Sequence, residues 1–140
     1  MSSIFTKIIS GELPARFVYR DDRVVAFLDI RPLTYGHTLV VPVTEVDKWT
    51  DLPQPELRSL TELAQQVGRA QIEAFGCERA GTVIAGFDVP HTHIHVFPAN
   101  AMSDFNFSNA IAEPEEAKLD EAAAKLRAVL DTDDNGYPHR

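Results

Sequence analysis

Three of the chain's five histidines stand at alternate positions within the stretch VPHTHIHVFP, residues 89–98. Residues two apart in a β-strand point to the same face of a sheet, so the stretch predicts a strand with an imidazole face. The opposite face would carry Thr92, Ile94 and Val96 toward the core. The imidazoles of this row are His91, His93 and His95. The function of the chain must therefore account for three imidazoles side by side.

Nucleophilic catalysis is the use that the histidine row favours. Imidazole has a pKa near about 6.5, so a ring whose one nitrogen donates a hydrogen bond keeps a lone pair that can attack phosphorus at neutral pH. Flanking imidazoles can stabilise the charge that develops on the phosphoryl oxygens. Metal binding and ordinary hydrogen-bonded histidines are the alternatives. Neighbouring imidazoles on one strand lie about 7 Å apart along its axis, and VFPANAM, which begins directly after the row, offers no Asp, Glu or Cys ligand.

The size and charge of the chain limit its architecture and its partners. A chain of 140 residues, 44% of them hydrophobic, fits one domain with a single core. The net charge of -8 disfavours nucleic-acid polymers and anionic membranes, whereas a few oriented donors can still hold a nucleotide. We expect one domain over 1–140, with its main body in 1–98, a loop and helix in 99–130 and a disordered tail in 131–140.

The ends and the cysteine content of the chain suggest a cytoplasmic protein. The opening stretch MSSIFTKIISGELP has no apolar segment of signal-peptide length, and no run of about 18 apolar residues occurs. Cys77 is the single cysteine, which excludes an internal disulfide and suits a reducing compartment. We expect Cys77 to be a buried packing residue.

Hydrophobic periodicity predicts alternating helices and strands. SIFTKIISGELP has the pattern of a short helix, RFVYRDDRVVAFLDI that of a hairpin around RDDR, and PLTYGHTLVVPV that of a third strand. Apolar residues at helical spacing predict a long helix from Pro53 to Phe75. AGTVIAG and the histidine row follow as two strands, and EPEEAKLDEAAAKLRAVL as a terminal helix that begins near Pro114.

The chain resembles the histidine triad (HIT) family over about residues 3–98. HTHIHVF matches the triad signature, and IFTKIISGELPARFVYRDDRVVAFLDIRPLTYGHTLVVP is similar to the amino-terminal half of the family. The resemblance implies a HIT-like α+β fold: an antiparallel sheet of about five strands with the long helix packed on it, followed by a C-terminal helix. It also implies a symmetric homodimer.

The resemblance implies a role for each residue of the candidate site. His93 would be the nucleophile, oriented by a hydrogen bond to a backbone carbonyl, with His91 and His95 beside it. His37 would support the first member of the triad, although a plain surface role stays possible. Asp29 would bind the ribose hydroxyls, unless it only ends a strand. Five apolar residues would sandwich the base, although periodicity alone assigns them to the core: Ile4, Phe5, Ile8, Phe27 and Ile30.

The function implied is hydrolysis of a nucleotide conjugate. A nucleoside monophosphate, with a purine base such as adenine, would be cleaved from an amine or phosphate through a nucleotidyl-histidine intermediate, without a metal or other cofactor in the chemical step. A dinucleoside polyphosphate hydrolase or nucleotidyl transferase differs only in the leaving group. A weakly active purine nucleotide-binding module and a metal-binding protein are the alternatives outside catalysis.

Three departures from the family pattern bear on these expectations. Some members bind a structural zinc through a C-x-x-C pair and histidines matching His37 and His91, but Ser3 and Thr6 stand at the cysteine positions, so we expect no zinc. Phe87 and Asp88 replace the usual Gln and Ser or Thr before the triad, and the Asp88 carboxylate would oppose a substrate phosphate. The loop after Pro98, ANAMSDFNFSNA, does not match the best-known animal branch of the family, and we expect its two aromatic residues to pack on the sheet rather than to cap a pocket. These are Phe105 and Phe107.

Overall fold

The computed structural model describes residues 2–139 and has one antiparallel five-stranded sheet. The strands are β1 (Phe17–Arg20), β2 (Val24–Leu28), β3 (Thr38–Pro42), β4 (Arg79–Val83) and β5 (Ile94–Ala99), in the spatial order β1-β2-β3-β5-β4. The helices are α1 (Ile4–Ile9), α2 (Gln54–Phe75) and α3 (Glu116–Leu130). Short 3-10 turns lie at Trp49–Asp51, Met102–Phe105 and Phe107–Asn109. The predicted α+β class and the five-stranded sheet are confirmed.

The two central strands of the amino-terminal half are buried on both faces, which explains their near-continuous apolar sequence. Val24, Ala26 and Leu28 of β2 pack in the main core beneath α2 and α3. Val25 and Phe27, which alternate with them, pack on the opposite face with residues of α1. The sheet is therefore covered by two long helices on one side and by the short helix on the other.

Helix α2 links the core to the loop that carries His37. Its buried face includes Leu60 and Val67, and it ends at Gly76, whose φ of 65° is the left-handed conformation that glycine adopts easily. The buried Gln71 amide donates hydrogen bonds to the carbonyls of Gly36 and Val96, at 2.9 and 2.8 Å. These bonds fix the His37 loop relative to strand β5.

The histidine row is only partly a strand, which corrects the prediction. Strand β5 begins at Ile94, and its pairing with β3 begins at Val40 opposite Ile94. Before that point the backbone N–H of Thr92 donates to the carbonyl of Val46 at 2.7 Å, so a loop rather than a strand is its partner. Regular pairing therefore includes only His95 of the three imidazoles. The apolar side of the row is nevertheless buried, as predicted.

The tail is ordered against the sheet, so the prediction of a disordered tail over 131–140 is wrong for residues 131–139. Thr132 pairs with Pro138, and its hydroxyl donates to the carbonyl of Val18 at 2.7 Å. The N–H of Arg20 donates to the carbonyl of Gly136 at 2.7 Å. Strand β1 is an edge strand with unpaired backbone groups, and the tail satisfies some of them.

Two further expectations concern the environment of the chain. Cys77 is buried with an exposed fraction of 7%, which confirms its packing role. Over residues 2–139, no helix combines the length and the apolar character that crossing a bilayer requires.

Candidate active site

His93 is held with one ring nitrogen free. Its Nδ1 lies 2.7 Å from the carbonyl oxygen of His91. A carbonyl can only accept, so Nδ1 carries the proton and Nε2 keeps its lone pair. The edge of the Phe5 ring packs against the imidazole at a centroid distance of 4.9 Å, and only 5% of His93 is exposed. Burial lowers the pKa of His93, so the ring is neutral at pH 7.

His91 uses both of its ring nitrogens within the protein. Nε2 lies 2.8 Å from the carbonyl oxygen of Pro42 and must donate to it. Nδ1 is therefore an acceptor, and the hydroxyl of Ser3 donates to it at 2.7 Å. The ring is completely buried, and that burial lowers its pKa. His91 orients the backbone that holds His93 but has no nitrogen available for a ligand.

A chain of hydrogen bonds also fixes the tautomer of His95. The N–H of Leu33 donates to Nδ1 of His37 at 2.9 Å, which leaves the His37 proton on Nε2. That proton is donated to Nδ1 of His95, at 2.9 Å, so the proton of His95 resides on Nε2. His95 is partly exposed, and this N–H has no partner among the described residues. Contrary to the resemblance, His37 supports the third imidazole and not His91.

Burial also determines the charge of this histidine pair. Burial and the neighbouring His95 and His93 lower the pKa of His37 to about 3. Burial and His93 lower the pKa of His95 to about 4, although the Asp88 carboxylate acts in the opposite direction. Both rings are neutral at pH 7. The site therefore contains neutral imidazoles with fixed donor and acceptor directions.

Asp29 lies beside this pair. One carboxylate oxygen accepts from the N–H of Arg31 at 2.9 Å, and the other lies 3.7 Å from Nε2 of His37. Burial raises the pKa of the carboxyl group. Ligand atoms of Asp29, His37 and His95 lie within 4.8 Å of one another, a spacing that could hold a metal ion. However, a metal on Nε2 of His37 would force its proton onto Nδ1, directly against the N–H of Leu33.

The five apolar residues predicted to contact the base fall into two groups. Phe5 and Phe27 are buried and pack edge to face, with centroids 5.6 Å apart, and Ile8 packs partly buried against them. Ile4 and Ile30 are 50% and 65% exposed. Exposed isoleucines are costly in water, so these two side chains are the members of the set that are free to contact a ligand.

The residues at the family's zinc positions form a hydrogen-bonded cluster. The Ser3 N–H and the Thr6 hydroxyl donate to one carboxylate oxygen of Glu45, at 2.7 and 2.6 Å, and the Ser3 hydroxyl caps α1 by accepting from the Thr6 N–H at 3.0 Å. These hydrogen bonds lower the pKa of Glu45 to about 2. Together with His91 the cluster has four members. The resemblance gave His37 as the fourth member of the zinc site, but the fourth member of this cluster is Glu45. The sequence contains no local signal for Glu45, which lies about 40 residues from its partners.

The segment before the triad is exposed. Phe87, at the position expected to hold Gln, has an exposed fraction of 96%. Asp88 is also exposed, and it is near enough to His93 and His95 for its charge to favour their protonated forms. A cavity of about 330 Å³ lies next to this segment and is lined in part by His93 and Phe87.

The two aromatic residues after the triad have different positions. Phe105 packs on Phe97 at 4.9 Å, and its ring occupies the space that a side chain at Gly81 would need. The packing predicted for Phe105 is thus confirmed. Phe107 lies edge-on against His95 at 5.0 Å and is partly exposed. Phe107 therefore borders the triad.

Comparisons with known proteins agree with this geometry. An uncharacterised HIT-like protein of Methanocaldococcus jannaschii is 36% identical over 99 residues, which are 68% of this chain and 77% of that protein. An adenylylsulfatase of Arabidopsis thaliana is 28% identical over 128 residues, 88% of this chain and 64% of that protein.

Solved structures and a family model extend the comparison. A HIT-like protein from Bartonella henselae, described as involved in cell-cycle regulation and crystallised with an unknown ligand, superimposes with a TM-score of 0.81 and 31% identity, covering 92% of this chain and 96% of that chain. The model of the HIT domain matches residues 10–102, which include the His37 loop and the whole triad. The chain belongs to the HIT family, whose members include nucleotide hydrolases.

Proposed function

We propose that the chain is a nucleotide phosphoramidase, which cleaves a nucleoside monophosphate from an amine. The observation that carries the proposal is the 2.7 Å contact between Nδ1 of His93 and the carbonyl of His91, because it leaves Nε2 as an unprotonated nucleophile. The neutral ring at pH 7 supports the same role.

In the first step the Nε2 lone pair of His93 attacks the α-phosphorus. A bond from nitrogen to phosphorus forms, the bond from phosphorus to the leaving amine breaks, and the amine leaves with the bonding pair and takes one proton from solvent. His95 donates a hydrogen bond from Nε2 to a phosphoryl oxygen. His95 does not supply the proton itself, because a neutral imidazole would then become an anion.

In the second step water attacks the nucleotidyl-imidazole. The bond between His93 and phosphorus breaks, Nε2 recovers its lone pair, and the proton from water returns to solvent. The nucleoside monophosphate is released, and the enzyme returns to its starting state. His91, which has no free nitrogen, acts as a positioning residue through its carbonyl.

Nucleoside recognition is proposed on the side of Asp29. Its carboxylate can accept from both ribose hydroxyls, and the exposed Ile4 and Ile30 can cover the two faces of a purine such as adenine. The apolar cluster beneath the base site would consist of Phe5, Phe27 and Ile8. Among the alternatives within the family, the similarity to an adenylylsulfatase favours an anionic leaving group. The Asp88 carboxylate beside the triad favours instead a module that binds a nucleotide with little turnover.

We also propose a homodimer and a cytoplasmic location. Strand β4 ends the sheet, and a groove of about 690 Å³ between it and α2 is lined by both apolar and charged side chains, among them Ile72, Ile84 and Arg69. Ile72 is exposed although it is apolar. A second copy related by a two-fold axis would cover this face, and an Ile72→Glu variant should run as a monomer in light scattering.

The cytoplasmic location is supported by the single reduced cysteine and can be tested by cell fractionation.

The test of the enzyme is AMP release from adenosine 5′-phosphoramidate and from diadenosine tetraphosphate in the presence of a chelator. Wild type is compared with His93→Ala and with His139→Ala, a matched control in which an exposed histidine of the tail is removed. Release by wild type and His139→Ala, but not by His93→Ala, supports the proposal. If AMP binds but neither compound is cleaved, the chain is a nucleotide-binding module and the proposed phosphoramidase is wrong.

A further inference from the structure

We infer that the cavity beside His93 is the leaving-group site and that it takes the ring of an amine that carries an aromatic group. Trp49, Phe87 and the nucleophile His93 all line this cavity. The inference rests on the proposed function, since it names the amine that the phosphoramidase would release.

The position of the cavity separates it from the nucleoside side. Its lining consists of residues 47–50 and 84–87 together with Thr92 and His93, and it shares none of the residues proposed to hold the ribose or the base. His93 is thus the member of the triad that lines this cavity. If the nucleoside occupies the Asp29 side, the cavity is available for the leaving group.

The size and the lining of the cavity suit one flat apolar ring. A volume of about 330 Å³ is at the small end of ligand sites. Trp49 is 47% exposed and Phe87 is 96% exposed, so two large aromatic side chains lie open to solvent beside a reactive imidazole. A ring bound in the cavity would cover the apolar surface of Trp49 and Phe87 and make edge or offset contacts with these side chains.

The segment that carries Trp49 is hydrogen-bonded to the triad. The hydroxyl of Thr92 donates to the carbonyl of Val46 at 2.8 Å, and its N–H donates to the same carbonyl at 2.7 Å. These two bonds join the start of the 46–50 segment to the residue between His91 and His93. The segment that carries Trp49 is thereby attached to the backbone that orients the nucleophile.

The charges around the cavity disfavour a leaving group that carries several phosphates. Lys48 is the one cationic side chain in its lining, and Asp47 opposes it. The Asp88 carboxylate adds a second negative charge near the triad. A neutral or cationic amine meets no repulsion here, whereas a di- or triphosphate would meet two carboxylates and one ammonium group.

The test compares AMP benzylamide with AMP methylamide, using wild type, Trp49→Ala, Phe87→Ala and the double variant. The kcat/KM ratio of benzylamide to methylamide is measured for each protein, so that the intrinsic reactivity of the two amines cancels between proteins. We expect the double variant to lower this ratio about tenfold, as two aromatic contacts imply. Methylamide carries no ring, so its kcat/KM should change less than that of benzylamide, and circular dichroism checks that the variants fold.

The controls separate this inference from the proposed function. Met102→Ala, which removes an exposed apolar side chain outside the cavity, should leave the ratio unchanged. If both amides are cleaved and the ratio is the same in the double variant, the leaving-group site is wrong while the phosphoramidase stands. Faster cleavage of diadenosine tetraphosphate than of AMP benzylamide also overturns the inference. If neither amide is cleaved by wild type, the proposed function fails and the inference fails with it.

Discussion

The two ends of the histidine row are held by different chemistry, and the difference separates support from contact with substrate. At one end, His91 is saturated by the Ser3 hydroxyl and the Pro42 carbonyl and is completely buried. At the other end, His95 receives one hydrogen bond from His37 and keeps an N–H that has no partner among the described residues. Imidazoles of the same sequence pattern therefore have unequal roles, because the partners on their Nδ1 and Nε2 atoms differ.

The partners also differ in the part of the chain that supplies them. The His91 end depends on the cap of α1 and on Glu45, whose hydrogen bonds join two distant segments. The His95 end depends on the loop that carries His37, which Gln71 of α2 ties to strand β5. Changes at the first end should therefore act on stability and orientation, and changes at the second end on turnover.

The largest effect is expected from His95→Asn. The amide oxygen of Asn can accept from Nε2 of His37 as Nδ1 of His95 does, but the Nε2 N–H of His95 is lost. We expect kcat to fall by about 10²–10³-fold, the usual cost of removing one donor to a developing oxyanion. The midpoint of urea unfolding should change little. A kcat within threefold of wild type would show that His95 does not contact the transition state.

A smaller and different effect is expected from His91→Gln. The amide N–H can still donate to the Pro42 carbonyl, but the Ser3 hydroxyl loses its buried acceptor. We expect the free energy of unfolding to fall by about 2–3 kcal/mol, with activity per folded molecule reduced less than in His95→Asn. Urea unfolding and active-site titration separate the two quantities. A loss of kcat as large as in His95→Asn, without destabilisation, would reverse the comparison.

Ser3→Ala should have a weaker effect of the same kind. The change removes the cap of α1 and the donor to His91, and we expect a loss of about 1–2 kcal/mol in unfolding free energy. kcat should fall severalfold with KM nearly unchanged, because the effect reaches the phosphate through His93. Ser3→Thr keeps the hydroxyl and should restore both quantities. Equal defects in Ser3→Ala and Ser3→Thr would contradict the positioning role.

The smallest effect is expected from mild acid. His37 and His95, with pKa values of about 3 and about 4, stay neutral well below pH 6.5, and burial lowers the pKa of His93 below its ordinary value. An unperturbed imidazole would lose about tenfold in its neutral fraction between pH 7.5 and 5.5, and we expect kcat/KM to fall by less than that. A tenfold fall would show an ordinary pKa for the nucleophile.

Folding stability, unlike activity, should be sensitive to mild acid. The unfolded chain takes up protons on these histidines near pH 6.5, whereas the folded chain takes them up only near pH 3–4. These histidines therefore leave the free energy of unfolding unchanged above about pH 6.5 and lower it progressively as the pH falls from 6.5 toward about 3. The rate measurements at pH 5.5 need a temperature well below the melting point measured at that pH.

The wrong predictions of strand and tail have a common physical cause. Alternation predicted which side of the row is buried, and Ile94 and Val96 are indeed in the core. It could not show that Thr92 would pair with the loop at Val46 instead of with a strand. The polar tail looked unfit for packing, yet the free edge of β1 provides its partners. Both outcomes depend on backbone groups of distant segments, which side-chain patterns do not reveal.

The sequence by itself determined the α+β class, the long helix and the presence of a histidine row with one buried side, because periodicity is a local property of the chain. It also contained the match to the HIT family. Only the tertiary structure decided which imidazole is free, because the tautomers of His91, His93 and His95 are set by two backbone carbonyls and a fourth histidine. Hydrogen-bond direction is a property of the folded arrangement, and the proposed chemistry depends on it.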